Sequence, residues 1–141
     1  MELKKILTIS GKNGLFQIVV QGKDRIIVES LNDKSRFPVF PSHKVSSLEE
    51  ICIFTETEEI PLKEVLKNIF IIENGNKCID PKSENYALKL YMEKILPSYD
   101  KNRVYVSDMK KLFTWYNTLH ENHMLSFEEE VNKESQSAEK E

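Results

Sequence analysis

Glu58-Glu59-Ile60-Pro61-Leu62-Lys63-Glu64-Val65-Leu66-Lys67-Asn68-Ile69, or EEIPLKEVLKNI, is where the hydrophobic period of this chain changes. Before it, apolar residues fall in short β-branched and aromatic runs. Within it, Leu62, Val65, Leu66 and Ile69 take helical spacing and form one stripe. Pro61 suits the first helical position, because that position has no intrahelical use for an N–H and proline's φ is already close to helical. The change predicts an α+β chain. Residues 1–60 are expected to form a small antiparallel β-barrel or meander of the SH3-like kind, and residues 61–127 a three-helix part.

Working back from Pro61, Leu15–Gln21 and Arg25–Leu31 read as strands joined by a hairpin turn at Gly22-Lys23-Asp24. Asn32-Asp33-Lys34 turns the chain into a third strand, Ser35–Phe40, where Pro38 marks an edge or a bulge. Ser46 and Ser47 stand three residues before Glu49 and Glu50, two overlapping capping-box spacings that predict a single helical turn before a buried strand at Ile51–Thr55. Residues 2–9 are expected to be a short helix, with Leu3, Ile6 and Leu7 on one face and the Gly11–Gly14 turn as its stop. Consecutive strands with short connections imply four or five strands in antiparallel order.

Working forward, Asn74-Gly75-Asn76 ends the first helix. Ser83 is placed to cap a second, with Leu88, Tyr91, Met92 and Ile95 on one side and Pro97 as its stop. The third helix lies in Val104–Leu119, VYVSDMKKLFTWYNTL, with Ser107 and Asp108 as capping residues and Met109, Leu112, Phe113, Tyr116 and Leu119 at helical spacing. Trp115, the only tryptophan, neighbours Tyr116, so about 100° of helix separates them and one must lie toward the edge of the packed face. Met124, Leu125 and Phe127 are expected to fold back on the helices. Residues 128–141 show no hydrophobic period and read as a disordered acidic tail.

Composition narrows the functions. Six glutamates against two lysines give residues 128–141 a charge of −4; the whole chain is −3, so residues 1–127 carry +1 and no global field draws in nucleic acid. Cys52 and Cys78 form no C-x-x-C, which suits two reduced thiols and a cytoplasmic setting. No apolar run exceeds four residues, which excludes a membrane-spanning helix. Glycine occurs four times, and no phosphate-cradling glycine motif is present, so nucleotide hydrolysis is not expected.

The runs LKKILTISGKNGL (3–15), IIVESL (26–31), RFPVF (36–40), EEIPLKEV (58–65) and YDKNRVYVSDMKKLFTWYN (99–117) resemble a family of small uncharacterised bacterial proteins. That family couples a domain of unknown function to a short helical C-terminal domain, and the resemblance covers roughly residues 2–125, a span suited to one compact unit. It implies a cytosolic, two-part architecture. It implies no activity, and no site residue is carried over from it.

Candidate site residues come from the pattern alone. Gly11-Lys12-Asn13-Gly14 has the G-x-x-G spacing of the KH-domain loop that clamps a nucleic-acid backbone, although a KH loop joins two helices and this one leads into a strand. The competing reading is a turn that needs glycine for its backbone conformation. Arg103, Lys110 and Lys111 make a local basic cluster near the start of the third helix, against which Asp100 and Asp108 can form structural ion pairs. His120 and His123 have i, i+3 spacing but lack a clear third ligand, Cys78 being a distant candidate, so no metal site is expected. His43 reads as a loop residue. The carboxylates Glu49, Glu50, Glu56, Glu58 and Glu59 read as a solvated run rather than a catalytic pair. Phe16, Phe37, Phe40 and Phe54 fall in strands whose alternation buries about half of them.

These features favour a noncatalytic binding or adaptor module that recognises a protein or a nucleic acid, with Lys12, Asn13, Arg103, Lys110, Lys111 and Trp115 as binding residues. Ranked behind it are a structural homo-oligomer and, last, a small enzyme or ligand-binding protein with a pocket between sheet and helices. No catalytic residue, cofactor or metal is assigned, and no membrane partner is expected.

Overall fold

The structure, a computed structural model, describes residues 3–127. A short 3-10 turn (Leu3–Lys5) leads into five strands: β1 (Ile6–Ile9), β2 (Phe16–Gln21), β3 (Ile26–Ser30), β4 (Arg36–Val39) and β5 (Val45–Ser47). They form one antiparallel sheet in the order β4-β3-β2-β1-β5. After a 3-10 turn at Leu48–Glu50 come a two-stranded ribbon, β6 (Cys52–Phe54) with β7 (Glu59–Pro61), and three helices: α1 (Leu62–Ile72), α2 (Asn85–Ile95) and α3 (Val106–Glu121). β4 and β5 are the outer strands and do not pair with each other, so the sheet is open rather than a closed barrel.

The first segment differs from expectation. Residues 6–9 are strand β1, paired with β2 through Leu7↔Phe16 and with β5 through Leu7↔Ser47, and only Leu3–Lys5 keeps a helical turn. The cause is burial on both faces of the strand. Ile6 joins the large core with the helices, whereas Leu7 and Ile9 join a second cluster with Phe16, Val28 and Val39. A strand buried on both sides carries adjacent apolar residues, so the Leu3, Ile6, Leu7 spacing imitates a helical stripe.

The second cluster is formed by residues of the five-stranded sheet. Ile18, Ile26 and Phe37 pack around it, and Phe16 meets Phe37 edge to face with ring centroids 5.5 Å apart. A register shift between Ile18 and Val20 in β2 bends that strand, as bulges do. Of the four strand phenylalanines, Phe16 is buried, Phe37 and Phe54 are half-buried and Phe40 is exposed.

The larger core draws on both halves of the chain. Leu3, Ile6, Leu15, Leu31 and Leu48 pack with the apolar stripes of α1 (Leu62, Val65, Leu66, Ile69), α2 (Leu88, Met92, Ile95) and α3 (Met109, Leu112, Phe113, Tyr116, Leu119). Helix starts differ by a residue or two from the sequence reading. Pro61 is the residue before α1 and still pairs with Cys52 in the ribbon. Glu84, rather than Ser83, precedes α2, and no side chain caps it. At α3 the capping carboxylate is Asp108, which accepts a hydrogen bond from the Tyr105 N–H at 2.9 Å. α1 stops where Gly75 takes φ +81° and its N–H returns to the Phe70 carbonyl. Past α3, Phe127 folds back to bury its ring against Phe70, 5.2 Å between centroids, with Met124 and Leu125 half-buried beside it. The proposed acidic tail, 128–141, lies outside the described residues.

Candidate functional site

The side chains that close the C-terminal core also leave a groove. On α3, Met109, Leu112, Phe113 and Tyr116 point into the core. Lys111 and Trp115 stand one helical turn apart on a neighbouring face. They line a cavity of about 600 Å³ together with Thr8 of β1, Ser46 of β5, Lys44 and the Gly11–Gly14 turn. Tyr116 is fully buried and Trp115 half-buried, so of the two adjacent aromatics Trp115 is the one at the edge. A second cavity of about 160 Å³ shares Lys111 and Trp115 and continues past Cys52, Phe54, Asp108 and Arg103. The indole therefore lies where the two cavities meet.

Backbone geometry shapes the rim. Gly11 and Gly14 have φ of +84° and +91°, a region that costs an L-residue free energy. At Gly14 a Cβ would also lie 2.5 Å from the Asn32 side-chain nitrogen, so that exposed amide would have to move. The Ser10 N–H donates to the Lys44 carbonyl and the Lys12 N–H to that of Ile9, which ties the turn to the start of β5. The N–H groups of Gly11, Asn13 and Gly14 donate no hydrogen bond among the described residues.

The lining is basic. The larger cavity has three lysines, Lys12, Lys44 and Lys111, and no carboxylate. The smaller adds Arg103 and Asp108. Lys44 and Lys111 have no acidic partner among the described residues. The Lys12 ammonium rests 4.6 Å from the centroid of the Phe37 ring, an exposed contact worth about 0.5–1 kcal/mol and easily exchanged for an anion. Arg103 is already committed. Its Nε donates to Asp100 at 2.8 Å, its guanidinium lies over the Phe54 ring at 4.3 Å, and it also reaches the Thr55 carbonyl. That hydrogen bond from Arg103 is the main cause that holds the Asp100 carboxyl below its ordinary range.

Of the residues singled out from the sequence, Lys12, Asn13, Lys111 and Trp115 come together in the larger cavity, and Arg103 joins through the smaller one. Lys110 lines neither; one residue along a helix turns the side chain by about 100°. Lys44, Ser46 and Thr8 were not singled out. Their presence depends on β5 pairing with β1 across a long connection, and only the lysine between His43 and Val45 was visible as a charge.

The other candidates separate. His120 is near the end of α3, while His123 lies beyond it with φ +55°, so the two imidazoles do not share a helical face. Among the described residues no group of three His, Cys, Asp or Glu could hold a metal ion. His43 accepts a hydrogen bond at Nδ1 from the Phe40 N–H, 3.0 Å, which closes its own loop. Glu56, Glu58 and Glu59 are exposed around the turn that Thr55 organises, its hydroxyl donating to the Glu58 carbonyl at 2.7 Å. Cys78 is half-buried beside α3, its N–H donating to Asn117 Oδ1 at 2.9 Å. Burial, with the nearby Glu73 carboxylate, pushes its thiol up to about 12.

Among the described residues no helix is long and apolar enough to cross a membrane. Two families match the chain, both described as domains of unknown function: DUF5606 over residues 3–48 and DUF6852 over residues 51–119. No curated protein matches it. A solution NMR structure of a structural-genomics target from Bacteroides vulgatus is similar over 89% of this chain and 91% of its own, with 41% identity and a TM-score of 0.71. On that likeness, the chain belongs to the same uncharacterised bacterial family as the Bacteroides protein, here with a DUF5606 domain followed by a DUF6852 domain.

Proposed function

We propose that this protein is a noncatalytic binding module whose groove between the Gly11–Gly14 turn, β5 and α3 receives an anionic partner. The observation that carries the reading is the convergence of Lys12, Lys44 and Lys111 around Trp115 in a cavity without a carboxylate. Three cations held within one concave surface raise the local concentration of an anion even on a chain that is acidic overall. Away from this groove, the half-buried thiol of Cys78 has its ionisation pushed up, which disfavours the thiolate a nucleophile needs. The apolar cluster of Leu7, Phe16 and Val28 on the five-stranded sheet is consistent with a partial barrel of the SH3-like kind as its platform. The two free thiols accord with a cytoplasmic setting.

Two charge reversals test this. Lys110→Glu and Lys111→Glu change the net charge equally, at adjacent exposed positions of one helix, but only Lys111 lines the groove. On a heparin column at low salt, Lys111→Glu is expected to elute well before the parent chain and Lys110→Glu close to it. Equal shifts would mean that net charge alone governs retention, and the groove reading would fall.

A further inference from the structure

We infer that the anionic partner of this groove is single-stranded nucleic acid, with a base stacked on Trp115 and backbone phosphates held by Lys12, Lys44 and Lys111. The inference rests on the proposal that the groove binds an anion, and goes beyond it in naming the ligand's chemistry.

Three features suit this ligand, and the second of them separates it from an acidic peptide. The first is the free cation type. A lysine acts as a point charge that suits a phosphate oxygen, although the two-pronged guanidinium fork serves carboxylate and phosphate alike. The one arginine of the groove is already held by Asp100, Phe54 and Thr55, and the cations without a carboxylate partner among the described residues are lysines, Lys12 resting on Phe37. The second is the aromatic. Trp115 lines both cavities, half-buried, and shares the larger one with Lys12, Lys44 and Lys111. Alternating cations with an aromatic face is how single strands are held without a sequence code, since every base has a π-face. The third is the turn. The N–H groups of Gly11, Asn13 and Gly14 donate no hydrogen bond among the described residues, and the adjacent pair at Asn13 and Gly14, where φ is positive at Gly14, offers two donors to an oxyanion.

A duplex fits poorly. The lysines and the indole line a recess rather than a protruding helix or ribbon, and its bases would stay stacked in the helix and out of reach of Trp115. The recess of about 600 Å³ lies within the usual range for a small bound unit, on the order of 300–1,000 Å³. Three lysine contacts predict a shallow salt response, with log affinity falling by about 2 for each tenfold rise in salt on a single strand.

Trp115 is the only tryptophan, so its fluorescence reports this groove alone. The full chain is titrated at low salt with dT10, rU10, an abasic decamer with the same phosphates, a decaglutamate peptide and a ten-base-pair duplex. Labelled dT10 gives a second readout by anisotropy. The inference expects dT10 or rU10 to quench the indole and to bind at least about tenfold more tightly than the abasic decamer, the range set by one stacked base. Lys111→Glu and Lys44→Glu should each weaken labelled dT10 several-fold, and these exposed positions keep the test independent of folding. Trp115→Leu should bring dT10 down to the level of the abasic strand. If the abasic decamer or decaglutamate binds as tightly as dT10, the anion-binding groove survives and the stacking inference is overturned. Preference for the duplex overturns it too. If no polyanion binds, or if both lysine reversals leave binding unchanged, the groove proposal fails along with it.

Discussion

Raising the pH to about 10 should destabilise this protein chiefly through Cys78, and replacing that residue should remove the larger part of that loss. The thiol is half-buried against α3, within 3.6 Å of the Phe113 carbonyl and near the Glu73 carboxylate, so its thiolate is disfavoured in the fold and its ionisation is pushed from 9.0 to about 12. In the unfolded chain the thiol ionises at its ordinary value. Its contribution is therefore complete below about pH 9 and is lost as the pH climbs toward 12, because only the unfolded state then releases the proton. At pH 10 the loss from Cys78 comes to about 1.4 kcal/mol, one pH unit of one-proton linkage. Tyr116, pushed up to about 12 by burial, and Tyr91, raised further by burial and its hydrogen bond to Glu73, start from 10.0 and have only begun to contribute there. Urea unfolding of the parent chain and of Cys78→Ala at pH 7 and pH 10 gives four free energies. Cys78→Ala starts lower at pH 7 by about 1 kcal/mol for lost packing. Its further loss on going to pH 10 should be smaller than the parent's by about 1.4 kcal/mol. Parallel losses in the two proteins would show that burial of this thiol does not govern alkaline stability.

Other outcomes follow from the same geometry. Gly11→Ala and Gly14→Ala each place a side chain at positive φ and should cost about 1 kcal/mol, but only Gly14→Ala should displace the Asn32 side chain, seen as a shift of its amide NMR signals. An unmoved Asn32 in Gly14→Ala would contradict the turn as described. A thiol reagent at pH 8 should label exposed Cys52 in the native protein while Cys78 reacts only on unfolding; equal rates would refute the burial of Cys78. Phe127→Ala removes a ring that is 3% exposed and packed on Phe70, and should cost about 3 kcal/mol in urea unfolding. A cost under about 1 kcal/mol would mean that this segment does not close the core.

The arrangement has a consequence for evolution within the family. The large core fixes α3 in rotation through Met109, Leu112, Phe113 and Tyr116, all nearly fully buried. Lys111 and Trp115 then occupy the groove face without being chosen by packing alone. A substitution that rotates α3 would move both, so stability of the helical core and geometry of the groove are coupled through one rigid element.

Residue order alone was enough for the elements that bury one face. The helical stripes of α1, α2 and α3, the β2–β3 hairpin and the inward fold of Phe127 follow from periods of 3.6 and 2 that any local window displays. The choice between Trp115 and Tyr116 was left open by spacing and is decided by packing, which buries Tyr116 fully. The tertiary structure alone decided β1, because Ile6 and Leu7 bury into two different cores and a strand covered on both sides loses its alternation. It also decided the site. Lys12, Lys44 and Lys111 lie far apart along the chain and meet only because β5 returns across the sheet to pair with β1, beneath α3. Local spacing governs which way a side chain points from its own element; which charges share a groove depends on pairings between distant segments, for which a single sequence carries no local signal.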